Sequence, residues 1–184
     1  MNARGFSLVE IIIVLAIVGI IVIALVDLVR GYYAIYRTQT ATVSVDTSAG
    51  VLLGDVRAAL LEADHIVTSH TFSGVSYSSG TTTLVLELPA VNSSGDIIAG
   101  AFDYVGFYAS GTDAYQIVDA AGGSVRRTGS RHESDTLFTL TFNYGSTTIA
   151  QATSTTVDVV TQASTSQQIV LRRHLYEKVY LRNI

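Results

Sequence analysis

The sequence predicts an α+β protein in which a long N-terminal helix, transmembrane in its first half and amphipathic in its second, packs on an antiparallel β-sheet head. Three observations point there. Residues Phe6–Val26 contain a single charge, Glu10, and Ile11–Val26 is an unbroken apolar run. From Val45 to Ile66, apolar residues recur at spacings of three and four, the period of one helix face. Beyond Thr68, apolar and hydroxyl residues alternate between Gly- and Ser-rich clusters, as in half-buried strands joined by turns.

The first segment is a membrane span. At about 1.5 Å per residue, Phe6–Val26 reaches roughly 32 Å as a helix, enough for a hydrocarbon core of about 30 Å. Its β-branched residues are no obstacle, because in lipid a lone segment satisfies its backbone only as a helix. A buried soluble helix, apolar on every face, would need a larger protein around it than 184 residues supply. Arg4 and the terminal amine lie on the short side, which places the N-terminus in the cytoplasm and the chain beyond Asp27 outside. A cleaved secretory signal is disfavoured. The apolar run is too long, and Val26-Asp27-Leu28-Val29-Arg30 offers no small-residue cleavage site.

Glu10 is the odd residue of this span. An ionised carboxylate at mid-membrane costs about 2.5–3.5 kcal/mol even on lenient insertion scales. Glu10 sits about 6 Å inside Phe6, within reach of the cytoplasmic interface by snorkelling. Taken alone, it is either a tolerated interfacial acid or an acid awaiting a positive group from another molecule.

Tyr32, Tyr33 and Tyr36 follow the span. They suit an aromatic belt at the outer interface, and equally a helix–helix contact, since Tyr32 and Tyr36 share a face. Val45, Ala49, Leu52, Val56, Ala59, Ala63 and Ile66 then form one apolar stripe. Gly50 and Gly54 cost about 1 kcal/mol each, but no proline interrupts. One helix is therefore expected from about Phe6 to His65.

Strands are expected at Thr71–Tyr77, Thr81–Leu88, Phe102–Ala109, Tyr115–Asp119, Leu137–Tyr144, Thr155–Thr161 and Glu177–Leu181. The second ends at Pro89, the single proline, which cannot donate to a ladder. Leu137–Phe142 presents leucines or phenylalanines to the core according to register. Residues Gln167–Tyr176 suit a strand or a short helix. The elements suggest a mostly meandering sheet with the helix across one face.

Composition narrows the chemistry. A net charge of −4 disfavours broad binding to nucleic-acid phosphates. With no cysteine there are no disulfides, no thiolate catalysis and no cysteine-ligated metal. His65, His70, His132 and His174 lack any zinc-ligand spacing. His65 and His70, with Asp64 beside them, admit a metal or are plain surface histidines. Arg126-Arg127, Arg131-His132-Glu133 and Arg172-Arg173-His174 read as small solvated basic spots. Asp96, Asp103 and Asp113 suggest a calcium site only loosely, without regular ligand spacing. No nucleophile elbow, phosphate loop or acid–base constellation is present, so no catalytic residue and no cofactor is expected.

The string Arg4-Gly5-Phe6-Ser7-Leu8-Val9-Glu10, followed at once by the apolar run, resembles the prepilin signature of type IV pilins and type II secretion pseudopilins. The resemblance implies cleavage by a prepilin peptidase between Gly5 and Phe6 and N-methylation of Phe6. It also implies that Glu10 pairs with the Phe6 amine of a neighbouring subunit during filament assembly. The chain then divides into a leader (1–5), a transmembrane helix (6–26), its amphipathic continuation (27–67) and a β-rich head (68–184).

A finer resemblance is to minor pilins of the J-type pseudopilin and PilW-like group. It rests on Asp55-Val56-Arg57, on Leu84-Val85-Leu86-Glu87-Leu88-Pro89, on Phe102-Asp103-Tyr104 to Tyr108, and on Leu181-Arg182-Asn183. The chain departs from many major pilins in lacking a helix proline and a C-terminal cysteine pair. The resemblance implies a non-enzymatic structural subunit of a type IV pilus-like or type II secretion filament, stored in the inner membrane. Its partners would be the peptidase, other pilins, an assembly platform and lipid. The competing expectation is a signal-anchored envelope binding protein that never polymerises.

Overall fold

The computed structural model describes residues 7–165 and 169–181. Helix α1 runs unbroken from Leu8 to Glu62, 55 residues, about 82 Å at the helical rise. It runs without a break through Gly31, Gly50 and Gly54, each of which faces open space. All seven stripe residues are buried, joined by Leu60. The helix stops sooner than His65, at Ala63, whose extended backbone (φ −68°, ψ 140°) caps it. There the Asp64 amide turns to the Glu87 carbonyl, 2.9 Å away, and Ile66 is buried from a strand rather than from the helix.

The strands are β1 (His65–Ile66), β2 (Ser69–Phe72), β3 (Val75–Ser78), β4 (Thr83–Val91), β5 (Ile97–Ser110), β6 (Asp113–Asp119), β7 (Gly129–Ser134), β8 (Leu137–Tyr144), β9 (Ser154–Ser164) and β10 (Val170–Tyr180). They form three antiparallel sheets rather than one meander: a five-stranded sheet β1-β4-β5-β6-β7, a three-stranded sheet β10-β9-β8, and the hairpin β2-β3. The expected single strand Thr71–Tyr77 is instead this hairpin. Ser73 (φ 49°) and Gly74 (φ 90°) make its two-residue turn, the left-handed pair a tight hairpin requires.

Strand β7 was not expected, because Gly129-Ser130-Arg131-His132-Glu133-Ser134 carries no apolar alternation. From Val170 the ambiguous segment ending at Tyr176 is strand, and that strand runs on through the expected Glu177–Leu181 as far as Tyr180. Strand β4 passes through Pro89 with a register shift between Pro89 and Val91. Strand β1 reaches only Leu86 and Glu87, so one edge of β4 is open at the proline, where a missing donor is tolerated. In β8 a bulge between Leu137 and Thr139 brings Leu137 onto the buried face with Leu140 and Phe142 and leaves Phe138 exposed. The bulge overrides simple alternation.

One core gathers beneath the helix, lined by Leu84, Leu86, Leu88 and Phe107 of the larger sheet and by Leu140, Phe142, Val157 and Val159 of the smaller. The helix is the wedge between the two sheets. Val56 enters the core, Asp55 bonds Arg131 on β7 at 2.8 Å, and Arg57 pairs with Glu177 on β10 at 3.4 Å. The β2-β3 hairpin covers the outer face of the five-stranded sheet. Phe72 lies there over Gly106, where a Cβ would stand 2.9 Å from Ile117 Cγ2 and 3.3 Å from Phe72 Cζ.

Candidate functional sites at the two ends of the helix

At the N-terminal end, Ser7 caps α1 and Glu10 completes a capping box. The Val9 amide donates to Ser7 Oγ at 3.3 Å, and the Ser7 amide donates to Glu10 Oε2 at 3.0 Å. Two amides that would otherwise lack partners are thereby satisfied. The Ser-x-x-Glu spacing ahead of an apolar run is the local sequence signal of this cap. Glu10 thus has an intramolecular role, with Oε1 outside that bond. The proposed cleavage and methylation positions, Gly5 and Phe6, lie outside the described residues, as do Arg4, Arg182 and Asn183.

Beyond Glu10 the helix surface is bare. Every residue from Leu8 to Tyr33 is exposed, and the most apolar window has a mean hydropathy of 3.3 with none of it buried. Helix α1 is long and apolar enough to cross a membrane.

At the C-terminal end, charged groups join helix to head. Asp103 is fully buried and accepts from the Ala121 amide (2.8 Å), the Ser124 hydroxyl (2.6 Å) and Arg126 (2.7 Å). Arg126 also donates to the Pro89 carbonyl at 2.9 Å and to Glu62 at 2.6 Å. Burial opposes its charge, but the two carboxylates outweigh that and raise its pKa. The basic spot at Arg126 is therefore an ion-pair hub with a side chain 22% exposed, not solvated surface. Arg131 likewise bridges Asp55 and Glu133. Burial pushes the Glu133 carboxyl up, Arg131 pulls it down, and the nearby Asp55 carboxyl adds to the rise, which prevails.

The histidine pairing expected at the helix exit is split. His65 lies between Asp64 (3.7 Å) and Glu87 (3.5 Å). His70 instead stacks on Tyr104, ring centres 3.7 Å apart, and bonds Asp119 at 2.9 Å. Tyr104 faces Glu87 across the β4–β5 pairing. Burial, then the Glu87 and Asp119 carboxylates, push its phenol to about 12. Glu87 was not anticipated here, because only the β1–β4 register brings it opposite His65.

The loosely expected calcium set does not converge. Asp103 is spent on Arg126, while Asp113 pairs with Ser110, about 23 Å along β5 from Asp103 at the strand rise. Asp113 contacts His132 at 3.3 Å and the Tyr115 hydroxyl at 3.4 Å.

Against known proteins, residues 1–26 match the family model described as the prokaryotic N-terminal methylation motif. No curated protein and no solved structure matches the chain. The motif match supports a type IV pilin-like protein, its N-terminal segment borne on a helix long and apolar enough to span a membrane.

Proposed function

We propose that this chain is a structural minor pilin or pseudopilin subunit, not an enzyme. A prepilin peptidase cuts between Gly5 and Phe6 and methylates Phe6, and the product assembles into a type IV pilus-like or type II secretion filament. The observation that carries this reading is the methylation motif at residues 1–26 on a helix whose most apolar stretch is left unburied by the described residues. In the membrane that half is solvated by lipid; in a filament, apolar helices of neighbours would bury it. Glu10 then pairs with the Phe6 amine of an adjacent subunit. Its Ser7 bond occupies one carboxylate oxygen and leaves the other for that amine, in a medium that strengthens charge pairing.

The finer assignment to the J-type and PilW-like group draws support from Asp55-Val56-Arg57, whose three side chains tie the helix to both sheets. A second reading, a membrane-anchored protein that does not polymerise, has one observation in its favour: Glu10 already has a partner in Ser7.

The deciding experiment is the intact mass and N-terminal sequence of the protein from its native membrane. A chain beginning at Phe6 with one added methyl group is expected. A chain beginning at Met1 would overturn the proposal and leave the anchored reading.

A further inference from the structure

The helix exit holds three metal-ligating side chains that the filament reading does not use. Asp64, His65 and Glu87 each offer one donor atom, and the three atoms lie within 4.8 Å of one another. Their backbones are fixed independently of any ion. His65 and Glu87 are direct cross-strand partners, and the Asp64 amide bonds the Glu87 carbonyl at 2.9 Å. The side chains are only loosely satisfied by one another. The imidazole–carboxylate separations of 3.5 and 3.7 Å exceed hydrogen-bonding distance. The other described histidine–carboxylate pairs, His70–Asp119, His174–Asp158 and His132–Asp113, close to 2.9, 3.0 and 3.3 Å.

Charge points the same way. Among the described residues, no lysine or arginine pairs with Asp64 or Glu87, whereas Asp46, Asp55, Glu62, Asp103, Glu133 and Glu177 each pair with an arginine. The last turn of α1 carries no basic residue of its own, and the Arg126 guanidinium that reaches the helix end is committed to Glu62 and Asp103. Tyr104 stands opposite Glu87, placed to orient its carboxylate as outer partners of metal ligands do.

We propose that Asp64, His65 and Glu87 bind a divalent cation of borderline hardness, with zinc as the best-suited ion. One imidazole nitrogen and two carboxylate oxygens suit such an ion better than calcium, which takes six to eight oxygens. Side-chain exposures of 46% for His65, 40% for Asp64 and 13% for Glu87 allow small shifts to close the triad and leave a coordination position for water. The ion clasps the chain leaving the helix to β4 and so stabilises the helix–head junction.

The test is zinc titration of the full chain in detergent micelles by calorimetry, with thermal melting of the metal-free and zinc-loaded forms. One zinc per chain and a raised Tm are expected. His65→Ala should weaken binding about tenfold or more, and Asp64→Asn and Glu87→Gln should each weaken it severalfold, consistent with the loss of a ligand. His174→Ala should leave it unchanged, and excess calcium should not displace the zinc. Should His65→Ala fail to fold, Asp64→Asn and Glu87→Gln read the same triad. Binding that survives these changes, that falls equally with His174→Ala, or that calcium competes away would overturn the site.

Discussion

The Thr161 hydroxyl donates a buried 2.8 Å hydrogen bond to the Val45 main-chain carbonyl, joining β9 to α1 at the first helix residue that is fully in the core. Val45 is 2% exposed and Thr161 is not exposed at all. Removing the hydroxyl leaves shape and volume nearly unchanged. Thr161→Val should therefore lower head stability by about 1 kcal/mol, read as a reduced urea midpoint at constant slope.

Arg126 neutralises Asp103, a carboxylate with no exposure to water. Arg126→Ala leaves that charge buried and unpaired and should cost about 3–5 kcal/mol, lowering Tm sharply. The double change Arg126→Ala with Asp103→Asn should recover part of the loss. A double variant no better than the single one would show that the guanidinium acts through packing instead.

Glu133 gives the head a pH dependence of definite sign. Its folded pKa lies above the ordinary carboxylate value, so the folded state holds a proton that the unfolded state has released. The resulting stabilisation is full below the unfolded pKa and is lost as pH rises through the folded one. Denaturation midpoints of Glu133→Gln should rise relative to the parent on going from about pH 4 to pH 7, because the amide never ionises. Parallel curves for the two proteins would refute this.

At Gly106 there is no room for a methyl group between Ile117 and Phe72. Gly106→Ala should cost about 1–3 kcal/mol by lifting the β2-β3 hairpin from the sheet. Amide exchange should quicken first in Ser69–Ser78 if that is where the strain is relieved.

Glu10→Gln separates two roles of one side chain. The amide oxygen can still accept from the Ser7 N–H, preserving the cap, but it carries no charge for a neighbour's amine. If charge pairing drives assembly, Glu10→Gln and Glu10→Ala should both abolish filament incorporation while membrane insertion persists. Retained incorporation in Glu10→Gln would assign Glu10 to helix capping alone.

Periodicity made the helix legible, because its buried stripe from Val45 to Leu60 keeps helical spacing along one face. The strands with strong alternation, such as Leu137–Tyr144, were equally plain. What escaped was set by partners distant in sequence. The polar β7 is a strand because β6 offers it a ladder. Arg126 left the surface because Asp103 is buried beneath it, and Glu87 joined His65 only through cross-strand register. The Ser7–Glu10 cap is local and readable, but its residues coincide with those of the methylation motif, so one short string carries two signals.

Helix and sheet are also mechanically coupled in one direction. Ion pairs tie Asp46 to Arg173 and Arg57 to Glu177. The helix advances about 16 Å and the strand about 13 Å between those points, so α1 and β10 run side by side with the same polarity. A load pulling on the N-terminal end of α1 thus acts along the helix–sheet contact in shear, engaging the Val45–Leu60 side chains and both ion pairs together instead of peeling them one by one. The eleven-residue pairing of β10 with β9 spreads that load over the smaller sheet. The head is built to be dragged by its stem.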